Sequence, residues 1–109
     1  METLGLTLEI HPAALARARQ GGAPHRAIDV ETTGRQLRFW ALVVADKTVL
    51  TEKGEPMQFI TFEDETALCE AVAFPDSYRR RKRPYRVGDV VPVAGQSVRQ
   101  DGLALLQVR

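Results

Sequence analysis

Cysteine is nearly missing from this sequence. Cys69 stands alone, so no internal disulfide and no multi-thiolate metal site can form. Such usage suits a reducing, cytoplasmic setting. Long hydrophobic runs are missing too: no stretch approaches the roughly 20 apolar residues needed to span a bilayer. The N-terminus lacks the basic-then-apolar layout of a secretory signal. Histidine is scarce, with His11 before a proline and His25 in a polar linker, and neither has a cysteine or carboxylate at ligand spacing. Gly21-Gly22 and Gly54 compose no phosphate-binding loop. No Ser-His-Asp or Cys-His arrangement is visible, nor any internal repeat or low-complexity tract. Neither a resident metal nor a cofactor is expected.

What is present fits one domain with one modest core: 109 residues, 44% hydrophobic and 27% charged. The net charge of +1 conceals an uneven distribution. Arg79, Arg80, Arg81, Lys82, Arg83 and Arg86 fall within eight residues that contain no acid. Outside that segment nine basic residues face 14 acidic ones, so the rest of the chain is mildly acidic. A basic run of this kind is either a solvated face or a phosphate-contacting patch.

The pattern is organised around Met57 to Pro75. Two strand-length runs, Met57 to Phe62 and Leu68 to Phe74, flank the polar link Glu63-Asp64-Glu65-Thr66, which predicts a hairpin. Pro75 closes the second strand, because it cannot donate a ladder hydrogen bond. Upstream, Gln36 to Ala45 reads as a long, curved strand, and Asp46 to Pro56 as a polar loop. Pro75-Asp76-Ser77 offers a helix start, with a short helix over Tyr78 to Lys82. Asp89 to Val98 is the fourth strand; Pro92 requires an edge or bulge there, and Gly95 a bend. A turn at Arg99-Gln100-Asp101-Gly102 leads to a fifth strand, Leu103 to Val108. Before all this, Leu4, Leu6, Leu8 and Ile10 alternate with other residues up to His11-Pro12. A helix over Ala13 to Gln20 is stopped by Gly21-Gly22, and a short strand or turn lies around Ala27 to Val30.

Gly54-Glu55-Pro56-Met57, Phe59, Thr61, Glu63-Asp64-Glu65-Thr66 and Phe74-Pro75 resemble the OB domain near the C-terminus of the bacterial DNA polymerase III alpha subunit. Ala67 stands where that family usually has glycine. Leu4-Gly5 and His11-Pro12 resemble the segment that follows the fingers region in the same family. The resemblance implies an all-β fold: a five-stranded OB barrel over residues 35–109, with one short helix between strands 3 and 4, preceded by a helical or extended arm over residues 1–34. It further implies single-stranded DNA binding, as a template-holding module of a replicative or error-prone polymerase, in contact with other domains or subunits of that assembly. The isolated chain is expected to have no polymerase activity. Two other readings stay open, because OB barrels also dock proteins and bind tRNA or other RNA.

Candidate side chains follow from how single strands are held, by a basic groove and by aromatic faces that stack bases. Seven aromatics are available: Phe39, Trp40, Phe59, Phe62, Phe74, Tyr78 and Tyr85. Roughly four of them are needed for the core. Alternation places Met57, Phe59 and Thr61 on one face of strand 2, with Gln58, Ile60 and Phe62 on the other. The family resemblance favours Phe62 inside, so Phe59 is the candidate for the binding face. Trp40 shares its face with Arg38 and is expected to cover the N-terminal segment or a neighbouring domain. Lys47 and Lys53, in the strand 1–2 loop, and Arg79, Arg80, Arg81, Lys82 and Arg83, in the strand 3–4 connection, are the candidate phosphate contacts. Glu63, Asp64 and Glu65 occupy successive positions whose side chains alternate, so they cannot converge on one ion. They read as a solvated turn in which Asp64 and Thr66 satisfy local N–H groups.

Overall fold

The first strand, β1 (Gln36–Leu50), is the longest and belongs to two ladders at once. In this computed structural model, which describes residues 10–32 and 34–109, the first half of β1 pairs with β4 (Val90–Gln100). Its second half pairs with β2 (Pro56–Glu63). The alternation Leu37, Phe39, Ala41 and Val43 points one face of β1 inward, and all four are buried. A register shift between Val43 and Ala45 lets the strand bend from one partner to the other. Next, β2 pairs with β3 (Leu68–Ala73), β3 runs parallel to β5 (Leu103–Val108), and β5 returns to β4, so the sheet closes in the order β1-β2-β3-β5-β4. The core inside it is built from Leu37, Phe39, Ile60, Phe62, Tyr85, Val93 and Leu106 with smaller neighbours.

The first strand continues five residues past its expected end at Ala45. Asp46 to Leu50 pair with Ile60 to Pro56, and the last two pairs, at Val49 and Leu50, run past β3 as a two-stranded ribbon. Both faces of its β1 arm are largely wet, so it carries no inside-outside alternation and reads as a polar loop. The turn is only Thr51–Glu55, closed by hydrogen bonds from Thr51 N to Glu55 O (2.8 Å) and from Gly54 N to Thr51 O (2.8 Å). Pro92 sits in register with Trp40, not at a bulge. Since β4 pairs with β5 only from Gly95 onward, one side of Pro92 has no ladder partner, and its missing donor is tolerated there. Helix α2 (Pro75–Arg80) lies between β3 and β4 in the chain, and the Ser77 hydroxyl ties it to β5 by donating to Val108 O (2.7 Å).

The N-terminal arm lies on this sheet. Helix α1 (Pro12–Gln20) is capped by His11, whose Nδ1 accepts from Ala13 N (3.0 Å), and it ends at Gly21. The stretch Ala27–Glu31 is a 3-10 turn. His25 is not loose linker: its backbone N donates to Arg38 O (3.0 Å), and its Nδ1 accepts from Arg38 N (3.1 Å). Trp40 is half-buried and donates through its indole N–H to Gly21 O (3.2 Å), so it covers the arm. Leu4-Gly5 and the alternating Leu4, Leu6 and Leu8 lie outside the described residues.

The acidic hairpin turn is the arm's anchor, which corrects its reading as a solvated tip. Asp64 is 4% exposed, and one carboxylate oxygen accepts from Ala27 N (2.8 Å). Its other oxygen accepts from Thr66 N (2.8 Å), the Thr66 hydroxyl (2.6 Å) and Ala67 N (3.3 Å), the local contacts expected of it. Glu63 meets His11 Nε2 (2.7 Å), while Glu65 is gripped by Arg17 and approached by Arg26 (3.7 Å). The partners from the arm lie some 37 to 52 residues away, beyond the reach of local pattern reading.

Candidate nucleic-acid interface

The outer face of β2 and β3 carries the molecule's exposed aromatic surface. The inward set of β2 is Gln58, Ile60 and Phe62, each at most 1% exposed, which leaves Met57, Phe59 and Thr61 outside. Phe59 is 47% exposed and Phe74, just past the end of β3, is 40% exposed. Together with Met57, Val72 and Leu105 they line an open groove of about 160 Å³, bordered by Glu70 and Gln100. The Glu70 carboxylate accepts from the Thr61 hydroxyl (3.1 Å), so the one acid on the rim is engaged. Strand register places Lys47 of β1 opposite Phe59, and Phe59 opposite Val72. Directly opposed residues share a face, so a cation, an aromatic ring and an aliphatic floor stand side by side.

Lys47 therefore reaches this face from a strand and not from a loop, a correction to its expected setting. Lys53 does lie in the turn between β1 and β2. The basic run, by contrast, is not one stripe. Arg79 bonds Glu55 of that same turn (3.1 Å) and Asp76 (2.7 Å). Arg81 lies over the Tyr85 ring, 3.5 Å from its centroid, and donates to Arg83 O (3.2 Å). Arg83 pairs with Asp89 (3.7 Å). Arg80 and Lys82 are exposed and make no ion pair among the described residues. The run thus splits between clamping α2 and its following loop to the sheet and presenting charge to solvent. Of its partners, Glu55 comes from the β1–β2 turn, whereas Tyr85 and Asp89 lie in the same α2–β4 connection as the run.

In the sequence, the place of Phe74 before Pro75 reads as strand punctuation and not as a binding position. The signal was present all the same: a large apolar residue at a strand end, where the fold has no interior left to fill. Tyr85 belongs to the core instead. It packs edge-on against Phe62 (centroids 5.2 Å apart), and the Gln58 amide bonds its backbone in both directions, at 2.7 and 3.2 Å. Burial raises the Tyr85 phenol above its ordinary range, opposed by the charge of Arg81. Burial, with the charges of Asp64 and Glu70, pushes the Cys69 thiol up to about 12, so it is an inert core group. Among the described residues, no group of three or more His, Cys, Asp or Glu side chains is placed to hold a metal ion, and no helix is long and apolar enough to cross a membrane.

No family model matches the chain. Individual relatives do. Over 111 aligned residues, 99% of this chain, it is 34% identical to DNA polymerase III subunit alpha of Bacillus subtilis (strain 168). Over 84% of its length it is 34% identical to an error-prone DNA polymerase of Pseudomonas paraeruginosa. It spans about a tenth of the length of these relatives, 10% and 9%. Among solved structures, the SSB domain of a Synechococcus protein superposes with a TM-score of 0.59 at 16% identity, covering 68% of this chain and 89% of that one. The second OB-fold domain of replication protein A from Methanococcus maripaludis gives 0.52 at 17% identity, covering 71% and 81%. The fold is therefore of the OB kind, and the chain is related along nearly its whole length to one segment of DNA polymerase III subunit alpha and the error-prone DNA polymerases.

Proposed function

We propose that this chain is a single-stranded DNA-binding OB module of a DNA polymerase III alpha-type protein, holding template strand during DNA replication and carrying no catalytic step itself. The observation that carries this reading is the pair Phe59 and Phe74, large apolar rings left in water on one groove with Lys47 beside them. The exposed part of these rings adds nothing to the core. Bases supply the flat, sequence-independent partner that such rings stack on. The likeness to an SSB domain and to a replication protein A domain supports the same use. Lys47, Lys53, Arg80 and Lys82 are the phosphate contacts in this reading, with Arg79, Arg81 and Arg83 adding to the local field while tied to their partners. Fluorescence anisotropy with labelled single-stranded DNA, duplex DNA and RNA at two salt concentrations tests it. Single strands are expected to bind most tightly, and binding to none of the three would sink it.

A protein-docking role is favoured by one separate feature. A cavity of about 460 Å³ between the 3-10 turn, β3 and β5 is rimmed by the exposed Ile28, Leu68 and Leu103. Charging that rim with Leu68→Asp would leave DNA binding intact under the first reading, and would abolish association with a polymerase partner under the second.

A further inference from the structure

The register of the closed sheet carries the row that begins at Lys47 and Phe59 around the outside of the molecule. Lys47 opposes Phe59, Phe59 opposes Val72, and Val72 opposes Gln107. Gln107 opposes Gln96, and Gln96 opposes Gln36. One continuous belt thus runs across all five strands, cationic and aromatic at one end and amide at the other. Gln36, Gln96 and Gln107 are all exposed, three neighbouring carboxamides on three adjacent strands. Above them is a second cavity of about 290 Å³, lined by those glutamines, Phe74, Arg80 and Arg109. Phe74 also lines the aromatic groove, so the two cavities meet at that ring. Asp76 is on the lining, but its carboxylate is taken by Arg79 (2.7 Å), which leaves Arg80 and Arg109 to set the sign of the cavity. Arg109 is held in place through its backbone N to Ala94 O (3.0 Å) and its guanidinium to Gln36.

We propose that this second cavity is a binding site for a phosphodiester and its attached base, and that a nucleic-acid strand leaving the Phe59 groove passes Phe74 to reach it. The inference rests on the single-strand reading of the groove. Guanidinium groups match a phosphate through paired N–H donors. A carboxamide both donates and accepts, so Gln96 and Gln107, beside a Gln36 whose oxygen Arg109 holds, meet the edge of any base. The site therefore takes single-stranded nucleic acid without sequence preference, and it lengthens the track from β2 and β3 onto β5, β4 and β1. With neighbouring strands about 4.8 Å apart, the belt from Phe59 to Gln36 covers roughly 19 Å of curved surface.

The test compares oligothymidylates of about four and about 12 nucleotides, the span of site sizes found for OB domains. Wild type, Phe59→Ala and the double variant Gln107→Ala/Arg109→Ala, both on the lining of the second cavity, are measured by anisotropy across salt. The double variant is expected to lose about tenfold or more on the long strand, the value of a charged hydrogen bond. Its salt slope on that strand should fall by about 0.7, one phosphate contact, with the short strand unaffected. Phe59→Ala should weaken both lengths. In wild type, the side-chain amide NMR signals of Gln96 and Gln107 should shift with the long strand and stay put with the short one, a readout independent of any variant's folding. Equal loss on both lengths, no loss on the long one, or silent glutamine signals in the bound complex would overturn the wrapped path and leave the groove standing. Failure of wild type to bind either length would overturn the groove and, with it, this extension.

Discussion

Phe59 keeps 47% of its surface in water, although Phe62, three residues on, is fully buried. Both follow from strand alternation, so Phe59 is exposed by position and not by lack of room. Removing its ring should hardly change stability, while a stacked base would lose roughly 1–3 kcal/mol of binding. Phe59→Ala is thus expected to separate the two, with an unchanged thermal midpoint and weakened single-strand binding; a large drop in midpoint would return Phe59 to a packing role. Glu65 works in the opposite sense, toward stability. The hydrogen bond from Arg17 is the main cause holding its carboxyl below the usual value of 4.5, against the opposing effect of burial. A lowered folded-state pKa favours the ionised form. Its contribution is therefore complete above pH 4.5 and is lost as pH falls through the lower, folded value. Wild type should exceed Glu65→Gln in urea midpoint at neutral pH, and that advantage should shrink below pH 4.5 and vanish once the pH is below the lowered, folded value. An advantage that persisted in acid would mean the Arg17 contact does not depend on charge.

Among the elements, the ones read most closely are those whose signal is local. Strand β5 has its expected bounds, because Asp101-Gly102 is a turn whose two positive φ values, 52° and 79°, need that residue pair. The inward faces of β1 and β2 were legible from period-two alternation. The extension at Asp46–Leu50 was not, since a β1 segment wet on both faces leaves no period to read. Of the arm's docking only the Trp40 cover was legible; its anchoring on the acidic turn was not, because Asp64 reaches Ala27 across 37 residues. As for the candidate site, the exposure of Phe59 was legible from alternation once the family resemblance had placed Phe62 inside. The pairing of Lys47 with it was hidden by the missed strand extension, and the splitting of the basic run by contacts to Glu55, Tyr85 and Asp89 that a charge count does not show. Gly95 was read as a bend and has a sharper reason to be glycine. A Cβ there would lie 2.4 Å from Gln107 O on β5, a backbone atom that cannot swing aside. Gly95→Ala should therefore push β4 from β5 and cost about 1–3 kcal/mol, as overpacking does. Denaturant unfolding reads this directly, and an unchanged midpoint would show that the two strands can part freely.

At the scale of the whole molecule, charge is where sequence and architecture diverge most. The chain is nearly neutral, with a net charge of +1, so attraction to a polyanion depends on where its cations are free to act. The fold commits Arg17 and Arg26 to Glu65, Arg79 to Glu55 and Asp76, Arg81 to Tyr85, and Arg83 to Asp89. Lys47, Lys53, Arg80 and Lys82 remain exposed without an ion pair among the described residues. Each phosphate neutralised on a single strand contributes about −0.7 to the slope of log affinity against log salt. Lys47→Ala and Lys53→Ala should each flatten that slope by about 0.7 when the groove holds DNA. Arg83→Ala should leave the slope nearly unchanged, because its charge is already paired with Asp89. Arg81→Ala should act on folding instead, through loss of a cation–π contact worth about 0.5–2 kcal/mol over a buried ring. Salt titrations of the four variants against one oligonucleotide separate these outcomes. If Arg83→Ala flattened the slope while the two lysine variants did not, the strand would have to run over the α2–β4 loop, and the groove on β2 and β3 would lose its claim to the phosphates.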